Sequence, residues 1–227
     1  MRRWTCGAAL LLYAGGVAAQ ISASVTLLSD YRYRGLSFND GKPTPQLSVN
    51  MDGEAGWYAG GLATPATLQG RAMTQLVSYA GYAQRMAAGW SWEAGATESA
   101  FSRAGASNYG EVYLGLSGER VSGRLYYAPR YFGYDTSTLY GEVNGFYPLL
   151  DQLNLTAHAG LLHTLAGAAW PGVPADSRYD LRVGVSAPVR DWNLQLVWVL
   201  SQRNDAQYAR YDQRAPHAVL LSAAYNF

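Results

Sequence analysis

The chain has 227 residues, with 17 basic against 16 acidic side chains, and its single cysteine is Cys6. That balance, with no basic stripe, argues against nucleic acid as a partner, and one cysteine cannot make a disulfide framework. The 18 tyrosines and 7 tryptophans suit a boundary between lipid and water.

Arg2 and Arg3 followed by the apolar run Cys6 to Val17 and the small residues Val17-Ala18-Ala19 read as a secretory signal peptide over 1–19. Its removal takes the basic count from 17 to 15 and leaves one domain, 20–227, without cysteine and close to neutral. No later stretch reaches the roughly 20 apolar residues that a spanning helix needs. A helical membrane protein is excluded.

From Ile21 the period is two. Ile21, Ala23, Val25, Leu27, Tyr31 and Tyr33 fall on one face, and Ser22, Ser24, Thr26, Asp30, Arg32 and Arg34 on the other. The first predicted strand therefore runs to Arg34. Pro45 to Met51 repeats the alternation, and further strands are expected at Trp57 to Thr64, Met73 to Met86, Gly89 to Thr97, Tyr109 to Ser117 and Arg120 to Arg130. Five more follow at Leu139 to Tyr147, Leu153 to His163, Tyr179 to Ser186, Trp192 to Ser201 and Ala218 to Phe227. Most are about 8 to 14 residues long, suiting tilted strands across a bilayer better than the 5 or 6 usual in soluble sheets.

The connections alternate in length. Short ones at Asp52 to Gly56, Ala87 to Gly89, Gly118-Glu119, Pro148 to Gln152 and Pro188 to Asp191 interleave with longer ones. The longer ones are Gly35 to Lys42, Pro65 to Ala72, Glu98 to Asn108, Tyr131 to Thr138, Thr164 to Arg178 and Gln202 to Pro216. This pattern predicts an all-β fold: a closed antiparallel transmembrane barrel of about 12 strands with a polar lumen, short periplasmic turns and longer extracellular loops. A soluble barrel of that size would enclose a wide apolar cavity, since about 8 strands already leave room for a ligand. With the oily face outward, lipid covers it and closure leaves no backbone edge unpaired.

Aromatic girdles are expected at both boundaries. Trp57, Trp90, Trp92, Tyr147, Trp192, Tyr225 and Phe227 would form the periplasmic one, and Tyr31, Tyr33, Tyr127, Tyr179 and Trp198 the outer one. The last strand, ending on Phe227, has the form read by the barrel-assembly machinery of the outer membrane.

The stretch Ser29-Asp30-Tyr31-Arg32-Tyr33-Arg34-Gly35-Leu36-Ser37 resembles the opening motif of the TorF-type porins of proteobacteria. Gly56-Trp57-Tyr58-Ala59-Gly60, Tyr79-Ala80-Gly81-Tyr82, Asn108 to Tyr113 and Tyr126 to Tyr131 are similar to later blocks of that family. The resemblance implies a small barrel in the Gram-negative outer membrane with a porin role and no established substrate.

The register sends Asp30, Arg32, Arg34, Gln46, Asn50, Asp52, Glu93, Glu111, Arg120, Arg124, Glu142, Asn144, Asp180 and Arg182 to the lumen. Either these charges wet a passage for small polar solutes or ions, or they pair and fill it. Asp30 is placed to hold Arg32, leaving Arg34 to meet an anionic group such as lipopolysaccharide or a carboxylate solute; the other reading is an ion-pair lock on the first strand. His163 and His217 lie on the lipid-facing parity and His158 in the lumen, with no serine and acid partner or metal spacing evident. The expectation is a porin-like channel, neither an enzyme nor a cofactor protein. Its expected partners are outer-membrane lipids, lipopolysaccharide and small polar solutes. A non-conducting structural or adhesion barrel and a lipid hydrolase are the alternatives.

Overall fold

The computed structural model describes residues 20–68, 70–167, 177–202 and 217–227. The expected export segment 1–19 and most of the loops expected at Thr164 to Arg178 and Gln202 to Pro216 lie outside the described residues. Strands β1 (Gln20–Leu28), β4 (Thr44–Asp52), β5 (Trp57–Leu68), β6 (Arg71–Arg85), β7 (Ser91–Phe101) and β8 (Tyr109–Ser117) make one half of a barrel. Strands β9 (Val121–Ala128), β10 (Thr136–Leu150), β11 (Leu153–Gly167), β12 (Arg178–Val189), β13 (Trp192–Ser201) and β14 (His217–Asn226) make the other. Each pairs antiparallel with its neighbour, and β1 closes the cylinder against β14, with Val25 opposite Tyr225 on one side and Leu47 of β4 on the other.

The alternation that makes these segments strands also says what surrounds them. In β8, Leu114 is 64% exposed while its neighbour Tyr113 is 5% exposed. Val112 and Leu116 share the outer face of β8 with Leu114, as do Leu194, Leu196 and Trp198 on β13. A continuous outer surface of large aliphatics is unfavourable in water. It is what hydrocarbon demands, and the closed ladder leaves no strand edge to desolvate. At the short-turn end, Tyr82 packs on Trp57 and Trp92 with centroids 5.2 and 5.9 Å apart, and Tyr225 on Trp192 and Phe227 at 5.1 and 5.0 Å.

Three expectations are corrected at the long-loop end. First, β1 stops at Leu28, and residues 29–43 leave the wall although β1 and β4 pair directly from Gln20 opposite Asp52 to Leu28 opposite Thr44. The segment folds into the barrel as a hairpin of β2 (Arg32–Tyr33) and β3 (Leu36–Ser37). The physical cause is a two-residue turn in which Arg34 (φ 48°) and Gly35 (φ 82°) are both left-handed, a geometry that continuation of β1 excludes. Second, Tyr31 and Tyr33 do not join an outer girdle, because they go inward with this hairpin. Third, Pro65 to Ala72 is not a long loop. Strands β5 and β6 run through it, with Pro65 opposite Thr74, and only positions 69–70 separate them. Thr64, Ala66, Met73 and Gln75 are buried there, so the period of two continues.

Candidate functional site in the barrel lumen

The hairpin is braced by its own polar groups. The Asp30 carboxylate accepts from Arg32 Nε at 2.8 Å and from the Ser37 hydroxyl at 2.5 Å, and the Tyr31 amide donates to Asn39 Oδ1 at 2.9 Å. Its apolar side chains form a core with the wall: Phe38 packs on Phe101 and Phe132, with Tyr31, Met73, Tyr109, Tyr131 and Leu162 buried in the same cluster. The lumen is therefore not polar throughout, as the sequence had suggested. At the long-loop end it holds an aromatic core. Burial pushes the Tyr31 and Tyr33 phenols up, so both remain neutral hydrogen-bond donors and acceptors.

Arg34 at the tip is not free. Its Nη2 donates to Glu111 Oε2 at 2.7 Å, its guanidinium carbon lies 4.2 Å from the Tyr140 ring centroid, and the rings of Tyr33, Tyr126 and Tyr131 stand 5.1–5.6 Å away. Arg178 Nη2 donates to the Arg34 carbonyl at 2.7 Å. Position 35 must be glycine, since an added Cβ would lie 2.8 Å from Ser201 Cβ and 2.9 Å from Asp180 Cβ. The seat carries a cost as well. Arg32 Nη1, Arg34 Nη1, Gln75 Nε2 and Glu111 Oε1 are buried with no partner among the described residues, each worth about 1–3 kcal/mol against the seated state.

Beneath the hairpin a cavity of about 740 Å³ runs down the wall past Tyr58 to Asp52 and Ser22, toward the short-turn end. Gln46, Asn50, Glu93, Glu111, Arg124, Glu142 and Arg182 line it together with Arg32 and Arg34. A second cavity of about 430 Å³ shares Arg32, Gln46 and Arg182 and adds Asp30, Asn144 and His158. Asp180 sits behind it, accepting from Tyr140 at 3.1 Å, 2.9 Å from His158 Nε2 and 3.5 Å from Arg182 Nη2. Arg124 grips Glu93 with Nε at 2.6 Å and Nη2 at 3.1 Å. The carboxylates and guanidiniums thus meet along the wall and at the hairpin rather than standing apart.

Sequence reasoning missed the tyrosines. Tyr58-Ala59-Gly60 on β5 and Tyr79-Ala80-Gly81 on β6 pair so that Tyr58 faces Gly81 and Gly60 faces Tyr79, while Gly95 on β7 faces Tyr113 on β8. Each ring lies over the glycine opposite. A Cβ on Gly60 would come 2.5 Å from the Tyr79 hydroxyl and one on Gly81 2.5 Å from that of Tyr58, and one on Gly95 would strike Tyr113. The hydroxyls are tied down: Tyr58 donates to Glu93 at 2.5 Å and lies 2.7 Å from the Tyr113 oxygen, and Tyr79 donates to Asn50. The recurring Tyr-x-Gly triplet on lumen parity is the signal that would have found them.

His158 has partners that its sequence neighbourhood does not show, Asn144 at 2.7 Å and Asp180. His163 lies 2.9 Å from the Ser177 hydroxyl on an exposed edge. No group of three or more potential metal ligands occurs among the described residues.

An outward apolar belt on a closed twelve-stranded antiparallel cylinder, with polar cavities inside, defines a transmembrane β-barrel. The fold is similar to that of the KdgM porin, at a TM-score of 0.55 and 14% identity over 92% of this chain and 99% of that one. It is also similar to the NanC porin, at a TM-score of 0.61 and 11% identity over 91% of this chain and 99% of that one. The chain belongs to the Gcw_chp family, described as bacterial proteins of unknown function, whose model matches residues 14–224. No curated protein matches the sequence.

Proposed function

We propose that this protein is an outer-membrane channel through which small polar solutes diffuse passively, with its outer mouth narrowed by the hairpin 29–43. The observation that carries the reading is the polar cavity of about 740 Å³ inside a lipid-facing closed barrel. The resemblance of the Ser29 to Ser37 motif to TorF-type porins and the fold shared with KdgM and NanC support it. In this reading residues 1–19 export the chain and are removed, the short turns face the periplasm, and the strand ending at Phe227 engages the assembly machinery. Lipid and lipopolysaccharide surround the aliphatic belt. Catalysis plays no part.

The hairpin favours a second reading, a structural barrel that does not conduct, because its aromatic core fills the long-loop end. Single-channel recording on refolded protein separates the two. The channel reading expects resolvable openings from the wild-type protein and larger or longer ones from Arg34→Asn, which keeps a turn-compatible residue while removing the bond to Glu111. A silent bilayer for both proteins supports the structural barrel.

A further inference from the structure

We infer that the cavity beneath the hairpin is a binding site for a neutral, hydroxyl-rich solute of saccharide type, a deepening that rests on the channel reading above. Charge is the first ground. Among the described lining residues four arginines (Arg32, Arg34, Arg124 and Arg182) stand with four carboxylates (Asp52, Glu93, Glu111 and Glu142). Glu93 is held by Arg124 and Tyr58, and Glu111 by Arg34. Arg32 and Arg182 are held in turn by Asp30 and Asp180, so every arginine of the cavity already has a carboxylate and the wall keeps no free guanidinium to hold an anion.

Ring geometry is the second ground. A side chain that rises from the wall fills a lumen, whereas Tyr58, Tyr79 and Tyr113 lie down over the glycines facing them. The Tyr113 ring is buried under the Arg124 guanidinium, 5.4 Å from its centroid, which leaves Tyr58 and Tyr79, with centroids 6.3 Å apart, as the short arc of rings that faces the cavity. The electron-rich face of such a ring attracts the weakly positive C–H face of a pyranose. Asn50, Arg124 and Glu142 flank the arc and supply the polar contacts that hydroxyls need. A purely apolar solute would desolvate these groups without compensation. At about 740 Å³ the space falls in the ~300–1,000 Å³ range of small-molecule sites.

Calorimetric titration of the full mature chain, folded in detergent micelles, tests this without requiring conduction. Sucrose and glucose should bind saturably, and glucuronate, which differs from glucose by a carboxylate, should bind no more tightly than glucose. Tyr58→Leu/Tyr79→Leu should lose about tenfold or more in sugar affinity. Absence of saturable sugar binding to the wild-type protein, or a clear preference for glucuronate, overturns the inference even if the leucine variant fails to fold. Conductance without sugar binding refutes the solute class and leaves the channel intact. Sugar binding with silent bilayers keeps the site and refutes the channel.

Discussion

Arg34 concentrates the opposing forces in this molecule. Its left-handed backbone disfavours any residue other than glycine or asparagine, yet its side chain reaches a carboxylate and four tyrosine rings that asparagine could not. The Arg34–Glu111 pair is almost fully buried, with side chains 5% and 2% exposed. Breaking it by Glu111→Gln leaves a guanidinium without its counter-charge, at a cost of about 3–5 kcal/mol to the seated hairpin. Limited proteolysis should then cut within 29–43 faster than in the wild-type protein, while the barrel stays resistant. The lumen glycines make a second prediction at this scale. Gly95→Val has to displace the Tyr113 ring, an overpacking worth about 1–3 kcal/mol, and should lower the midpoint of urea unfolding from lipid vesicles.

The hairpin and the wall are separable as elements. The wall closes without residues 29–43, because β1 and β4 pair along their whole length. A variant with 30–42 replaced by a two-residue Asn-Gly turn should therefore still fold to the heat-modifiable band of a closed barrel on gels. Under the channel reading its conductance rises. An unfolded product would mean that the aromatic core around Phe38 and Phe132 nucleates the barrel. The sequence could not announce the hairpin as an inward element. Asp30, Arg32 and Arg34 continue the period of two that precedes them, and what seats the turned chain inside the barrel includes the pairing of Arg34 with Glu111, 77 residues away.

For the whole molecule, the outward belt and the paired interior predict opposite sensitivities. Leu114→Arg places a charge on the hydrocarbon face of β8 and should cost about 2–4 kcal/mol in unfolding from vesicles. Glu93→Gln leaves Arg124 unopposed on the lumen wall and should shift the reversal potential in a salt gradient toward anion preference.

Strand number, direction and the choice of outer face were legible in the chain, because alternation and turn chemistry are local and lipid exposure acts on every second residue alike. What fills the cylinder was not. The seat of Arg34 against Glu111, the rings laid over Gly60, Gly81 and Gly95, and the partners of His158 join residues on different strands. Their meeting depends on the curvature and register of the closed sheet, which no local pattern encodes.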